Sequence, residues 1–369
     1  MKKLLASLII LILLPGCWGL SELEKVAIVS GVGIDVIEPT KIRVTTEILK
    51  PSDIRKGKPE PYIIADAEGL TVFEAVRDFI ITQGKKLLWS HVNVLIIGEE
   101  TAKNSVVPIV GFLMRDHEPR PSMKVLVAEG SASDIMHIKS KQGPTTMTIR
   151  TGLEEQASLS KAPNIEFHEF NQALFSPVRD PYVPIIRKSD DGFKIYGTAI
   201  FKKSRMVGTL TSEETRGLHR VLGKLKGGVQ VIQLPSDHPL FISLEIKESN
   251  TDVKVKIVNH KPKILIEVKE MAFIGSDTGG LYLTMEQYEQ IKAIYKKVIR
   301  KEMEQTIKKV QKELKSNALA FDLAVRTQKK EYWNQVKDQW DKIYPSIEVE
   351  IKVETEIPEE GLVKSNVVH

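Results

Sequence analysis

Apolar residues recur along this chain with two periods, two and about three and a half. The switches between them mark strands and helices. Val26 to Val36 (VAIVSGVGIDV) is a near-continuous apolar, β-rich run and predicts a buried strand with a glycine bend. Ile42, Val44, Thr46 and Ile48 alternate with Lys41, Arg43, Thr45 and Glu47, which predicts a half-buried strand beside it. Lys50 to Pro61, polar and proline-rich, reads as a loop. Thr71 and Glu74 have the N-cap and N3 spacing of a capping box, Phe73, Val76, Phe79 and Ile80 fall on one face of the helix that follows, and Gly84 suits its C′ position. His91 to Gly98 (HVNVLIIG) predicts a second buried strand and Met123 to Glu129 a third. Between them Ala102 to Met114 reads as a helix weakened or kinked at Pro108. Ser131 with Asp134 begins another short helix. Residues 26–141 thus mix strands and helices around one core.

Residues 142–192 change character. Prolines 144, 163, 177, 181 and 184 interrupt them, Leu153 to Leu159 suits a helix, and Asp190, Asp191 and Gly192 read as a turn. The expectation is a small middle lobe or wrapping segment. From Phe193 the pattern resets. Ile195 to Phe201 and Met206 to Leu210 suggest a hairpin, and Thr211 with Glu214 caps a short helix that ends near Gly227 and Gly228. Val253, Val255 and Ile257, then Ile264, Ile266 and Val268, alternate with polar residues as strands do. Thr284, with Gln287 at N3, opens the longest helix, whose apolar positions run from Ile291 to Leu314 at spacings near three and four. The pattern closes on an alternating strand from Ile347 to Ile357. The expected fold class is α+β and multi-domain, with mixed and antiparallel sheets under covering helices. The C-terminal domain, 193–369, sets a long helix over a sheet.

The first residues follow neither period. Lys2 and Lys3 precede an apolar run, Leu4 to Leu14, that is too short to span a bilayer and fits the h-region of a signal peptide. Leu14, Gly16 and Cys17 then take the −3, −1 and +1 positions of a bacterial lipobox. Cleavage is expected between Gly16 and Cys17, making residues 1–16 a signal peptide, Cys17 the lipidated residue and 17–25 a tether. An ordinary secretory signal with an unrelated cysteine is the alternative. Cys17 is the single cysteine of 369 residues, so no disulfide can staple the body and its stability rests on its cores. Two or more acyl chains anchor stably where one binds marginally.

Charge adds little. A formal net charge of +5, with acids and bases interleaved, describes solubility and a tolerance for anionic surfaces, and it does not suggest nucleic acid. The motifs of chemistry are missing: there is no G-x-S-x-G elbow, P-loop or H-E-x-x-H. Gly31, Gly33 and Asp35 give a G-x-G-x-D, but Val36 stands where the dinucleotide fingerprint needs a third small residue, and a strand follows in place of a helix. A tight bend is expected there. Glu166, His168 and Glu169 lack metal-ligand spacing. No catalytic residue, metal or cofactor is implied. The densest charged cluster, Arg115, Asp116, His117, Glu118, Pro119 and Arg120, is read as a solvated helix end and loop. Arg115 and Arg120 are its candidates for a partner contact, against the alternative that both form internal ion pairs.

Several blocks in order carry a resemblance. They are the lipobox followed by Trp18, AIVSGVGID (27–35), HVNVLIIGEETAK (91–103), FLMRDHEPR (112–120), GTAIFKKSRMVGTLTSEETRGL (197–218) and the stretch from Trp340 to Val353. Together they resemble the Ger(x)C family, the lipoprotein C subunits of spore germinant receptors. The resemblance implies an α+β protein without an enzymatic site, anchored through Cys17 to the spore inner membrane. It also implies a complex with a multi-pass A subunit and a permease-like B subunit. An extracytoplasmic solute-binding lipoprotein and a surface hydrolase are the alternatives. The first predicts two similar α/β lobes around a cleft, the second a nucleophile or metal constellation.

Overall fold

The computed structural model describes residues 26–58, 60–116, 118–140, 143–235, 239–279 and 284–358. It builds two sheets. The first is nine-stranded, ordered β3-β2-β1-β5-β6-β7-β8-β9 with β4 also on β1. Its strands are β1 (Val26–Glu38), β2 (Lys41–Leu49), β3 (Tyr62–Gly69), β4 (Lys86–Leu88), β5 (Val94–Ile97), β6 (Lys124–Ala128), β7 (Tyr182–Ser189), β8 (Gly192–Lys202) and β9 (Arg205–Leu210). The β1, β5, β6 and β7 ladders are parallel and both flanks are antiparallel.

Helices cover both faces of this sheet, which is why β5 and β6 are apolar without alternation. Leu95, Ile97, Val125 and Val127 point into one core, while Val94, Ile96, Leu126 and Ala128 point into another. The helices of the first half are α1 (Pro51–Arg55), α2 (Val72–Gln83), α3 (Glu99–Asn104), α4 (Val107–Arg115), α5 (Ala132–Met136), α6 (Thr145–Leu159) and α7 (Phe167–Leu174). The one kinked helix expected over 102–114 is two helices, α3 and α4, broken at Ser105 and Val106. Pro108 sits in the first turn of α4, where its missing N–H has no intrahelical partner to lose.

β2 is not half-buried as its alternation suggests. Val44 to Ile48 are all buried, Thr45 and Glu47 included, because the helix at Ala132–Met136 and the N-terminus of the helix at Thr145–Leu159 pack over the face expected to be wet. The first turn of α6 begins at Thr145, well before the expected Leu153. Its N-terminus is held by Glu47, 98 residues away: Thr145 N–H donates to Glu47 Oε2 at 2.7 Å and Thr146 Oγ1 to Oε1 at 2.5 Å. Asp35 does the same for α5, accepting from Ala132 N and Ser133 N, both at 2.8 Å. Carboxylates at helix N-termini satisfy orphan donors and oppose the helix dipole. The glycines beside them let these helices approach. A Cβ on Gly31 would stand 2.3 Å from Thr146 Cγ2, and one on Gly33 2.9 Å from Met136 Cγ. The G-x-G-x-D signature is therefore a packing and capping device.

Residues 142–192, expected as a small lobe or wrapping segment, supply α6, α7 and β7. The turn at Asp190 and Asp191 closes a hairpin in which Ser189 faces Gly192, so the first sheet continues across residue 192 to Leu210.

The second sheet is ordered β10-β11-β12-β13, from β10 (Gly228–Leu234), β11 (Leu240–Val258), β12 (Lys261–Asp277) and β13 (Glu348–Glu356), with β13 parallel to β12 and the rest antiparallel. α8 (Ser212–Val221) and the long α9 (Met285–Ile307) cover one face. Both open on the expected capping boxes, Thr211 with Glu214 and Thr284 with Gln287. α8 stops at Leu222, before the expected glycine pair, and Gly228 instead starts β10. The helix expected to reach Leu314 does so in a wider coil: Leu314 N–H donates to Lys309 O at 2.8 Å, an i to i−5 bond. That widening buries Gln311, whose Nε2 donates to Tyr344 O and Ile347 O at 2.8 and 2.9 Å. Ile200 and Leu210 of the first sheet pack into this second core, and so join the two halves.

Candidate functional site

On one face of the first sheet, α2 and α4 lie side by side. Val72, Ala75 and Phe79 anchor α2 in the core, and Ile109, Val110 and Leu113 anchor α4. Above these anchors the two helices meet through Phe73 and Phe112, ring centroids 6.3 Å apart, with Trp89 edge-on to Phe112 at 6.1 Å. A groove of about 880 Å³ opens between them. Leu70, Phe73, Val76, Ile80, Pro108 and Phe112 give it apolar walls, and Arg77, Lys86, Arg115, Asp116 and Glu118 also line it. Phe73 and Ile80, expected on the core face of α2, are exposed, because the helix is rotated to bury Val72 and Ala75 instead. The signal for this in the sequence is excess: Val72, Phe73, Val76, Phe79, Ile80 and Ile81 cover more of the helix than one core face needs.

The charged segment expected as a contact forms one end of this groove. Arg115 ends α4 and is exposed. Arg120 is also exposed, with Nη2 3.5 Å from His91 Nδ1. The ion pair here belongs to neither arginine: Glu118 pairs with Lys86 at 3.1 Å and accepts Trp89 N–H at 3.1 Å. Among the described residues Arg115 and Arg120 form no ion pair. His117, Gly16 and Cys17 lie outside the described residues.

The other candidate cluster is committed to local structure. Glu166 pairs with Lys124 at 2.9 Å, and Glu169 Oε2 accepts Glu166 N–H at 3.1 Å at the start of α7. His168 stands exposed, 3.3 Å from Glu166. Among the described residues no group of three or more His, Cys, Asp or Glu is arranged to hold a metal ion, and no helix is long and apolar enough to cross a membrane.

A buried charge network beneath α8 leaves no mark in the pattern of residues. Arg220, fully buried, grips Glu270 with two bonds of 2.9 Å and donates to Glu302 at 2.6 Å. Arg216 takes the same Glu302 with bonds of 3.0 and 2.6 Å. Ser249 Oγ and the Tyr295 hydroxyl complete the shell of Glu270. Burial works to raise the Glu270 carboxyl, but the Arg220 guanidinium outweighs it and holds the group below its usual range. Burial and then the Glu270 carboxylate push the Tyr295 hydroxyl well up. Each acid faces an arginine within hydrogen-bond reach. The network is a brace between α8, α9 and the sheet.

Beside it, His219 is buried, its Nδ1 without a hydrogen-bond partner among the described residues. Burial first, then Lys224 and Arg220, lower its pKa to about 4. The folded state therefore holds His219 neutral where the unfolded chain, titrating near 6.5, takes up a proton. Its contribution is present above pH 6.5 and is lost as pH falls toward 4. Stability is expected to drop by about 2 kcal/mol between pH 6.5 and pH 5 through this group alone. Thermal melts of the native protein and of His219→Phe over that range check this. The variant should show the shallower slope, and equal slopes would refute the assignment.

Two successive family matches cover this architecture. Residues 20–188 match the spore germination protein N-terminal domain, and residues 196–361 match the family described as spore germination B3/GerAC like, C-terminal. Spore germination protein B3 of Bacillus subtilis (strain 168) is 27% identical over 364 residues, 96% of each chain. Spore germination protein KC of the same strain is 25% identical, covering 100% of this chain and 98% of its own. Among solved structures, the crystal structure of the GerBC protein superposes with a TM-score of 0.61 at 23% identity, covering 89% of this chain and 96% of that one, a likeness of fold.

Proposed function

The chain belongs to the Ger(x)C family of spore germination proteins, and from that premise we propose that it is the membrane-anchored lipoprotein subunit of a nutrient germinant receptor. In this reading it works through contacts with a multi-pass A subunit and a permease-like B subunit, on the outer face of the spore inner membrane, and catalyses nothing. The observation that carries the reading is the pair of family matches, over residues 20–188 and 196–361, that together take in both sheets. The lipobox at Leu14, Gly16 and Cys17 supports the anchor. A solute-binding lipoprotein would set two similar lobes around a cleft. Here the sheets have nine and four strands in unlike orders, which favours the receptor reading.

Cys17→Ala tests it. Without the acyl chains, membrane retention of the mature-sized form should fall at least about tenfold, and nutrient-triggered germination should fall with it. Immunoblots of fractionated spores and the loss of optical density on adding nutrient read the two effects. A mature-sized Cys17→Ala chain that stays on the membrane and supports normal germination overturns the proposal.

Arg115 and Arg120 are proposed as partner contacts, because both are exposed cations with no ion pair to hold them among the described residues. In the double Ala variant the melting temperature should stay nearly constant, as surface changes shift stability by about 0.5 kcal/mol or less. Co-purification of the membrane subunits from spores should decrease. Equal losses of stability and of complex would point to internal roles, and no change in either would remove the segment as a contact.

A further inference from the structure

We propose that the outer face of α2 rests on the bilayer to which the chain is tethered. The apolar content of that face is the first argument. Ile81 is 81% exposed, Leu70 68% and Phe73 55%, and Ile80 stands beside them at the groove. Scattered apolar residues on a surface are ordinary. Four large ones on and beside one short helix are not, and a patch of that kind marks a surface that is covered in use. The second argument is position. Val26, the first described residue, pairs with Lys86 in the β1–β4 ladder, and Lys86 lines the groove. The stretch from Cys17 to Val26 reaches at most about 30 Å when fully extended. Whatever path it takes, an acylated Cys17 holds the Lys86 end of α2 within that distance of the membrane. Lys85, exposed where α2 gives way to β4, adds a cation at the level where anionic headgroups lie, while Lys86 beside it is paired with Glu118.

The chemistry is that of an interfacial helix. Its apolar side chains enter the boundary between headgroups and acyl chains, and Lys85, just past its C-terminal end, stays with the phosphates. α2 differs from a free amphipathic helix in being held by a core: Val72, Ala75 and Phe79 fix its roll, so the face it offers is set by the fold. A body on a short tether would otherwise tumble. Contact along α2 gives it one orientation and turns Arg115, across the groove on α4, toward neighbours in the same membrane.

This inference rests on the lipid-anchor reading, and the experiment separates the two. Cys17 is the single cysteine of the chain and is blocked once acylated, so Ile81→Cys in the full-length protein gives one thiol for an environment-sensitive fluorophore. The labelled protein is reconstituted on vesicles of equal parts phosphatidylglycerol and phosphatidylcholine, with a nitroxide on the headgroup or high on the acyl chain. Val231→Cys serves as the reference: it is 52% exposed on β10, which packs near α6 on the far side of the first sheet. The expected result is roughly a twofold loss of fluorescence at Ile81→Cys with either nitroxide, and little loss at Val231→Cys. A chain that does not float with the vesicles overturns the anchor reading and this inference with it. A chain that floats, but whose Ile81 probe is quenched no more than the Val231 probe, leaves the anchor standing and overturns the inference alone. Shielding of the Ile81 probe only when the multi-pass subunits are added overturns it in favour of a protein partner.

Discussion

Arg220→Met is expected to destabilise the second core by about 3–5 kcal/mol, because it leaves Glu270 buried with no cation beside it. Glu302 keeps Arg216, but Glu270 keeps only Ser249 Oγ and the Tyr295 hydroxyl. The folded chain must then either protonate that carboxyl or bury a charge. The loss should therefore be greater at pH 8 than at pH 5, since protonation relieves it. Urea unfolding followed through Trp340, which is buried against Trp333 at 5.1 Å in that core, reads the effect. The double variant Arg220→Met with Glu270→Leu should recover more than half of the loss, since replacing both partners of a buried pair by apolar groups is often nearly neutral. A single variant within 1 kcal/mol of the native protein would show that the network is not a brace.

Much of the second sheet was legible because its strands are wet on one face. Val253 with Val255 and Ile264 with Ile266 alternate with lysines and glutamates, and the capping boxes at Thr211 and Thr284 open helices where their spacing says. The same periodicity misled in β2, where burial of both faces hides behind Thr45 and Glu47, two polar residues satisfied by the neighbouring strand and by α6. Pattern reports the polarity of a side chain, and a buried polar residue with a distant partner reads as an exposed one. The Arg220 network was illegible for that reason: Arg220, Glu270 and Glu302 sit far apart in sequence among many exposed charges, and only the fold brings them together. The groove was half-legible. The helix of α2 and the cluster at Arg115 were both expected, but their adjacency follows from β4 and β5 pairing on either part of β1.

Glu47→Ala is expected to cost about 3 kcal/mol or more, and to do so by loosening a helix 98 residues away. Ser30 Oγ at 2.6 Å, Thr145 N–H at 2.7 Å and Thr146 Oγ1 at 2.5 Å all donate to this one carboxylate. Among the described residues no cation pairs with it; the compensation comes from hydroxyls and from the N-terminus of α6. Truncation removes the acceptor from several buried donors and leaves a void, and unsatisfied buried groups cost about 1–3 kcal/mol each. Glu47→Gln keeps the volume and one acceptor but turns an amide donor toward donors, so roughly half the loss should remain. Urea midpoints give the totals, and amide exchange at Thr146 to Thr148 gives the location, since those protons should exchange faster in the Ala variant than the core amides of β5. If Glu47→Ala falls within 1 kcal/mol of the native protein and the first turn of α6 keeps its protection, the helix is held by Gly31 and its close packing against Thr146 alone. Faster exchange confined to that turn would instead establish that one acid on β2 sets where α6 begins, thereby fixing a boundary that residues 145–159 do not encode by themselves.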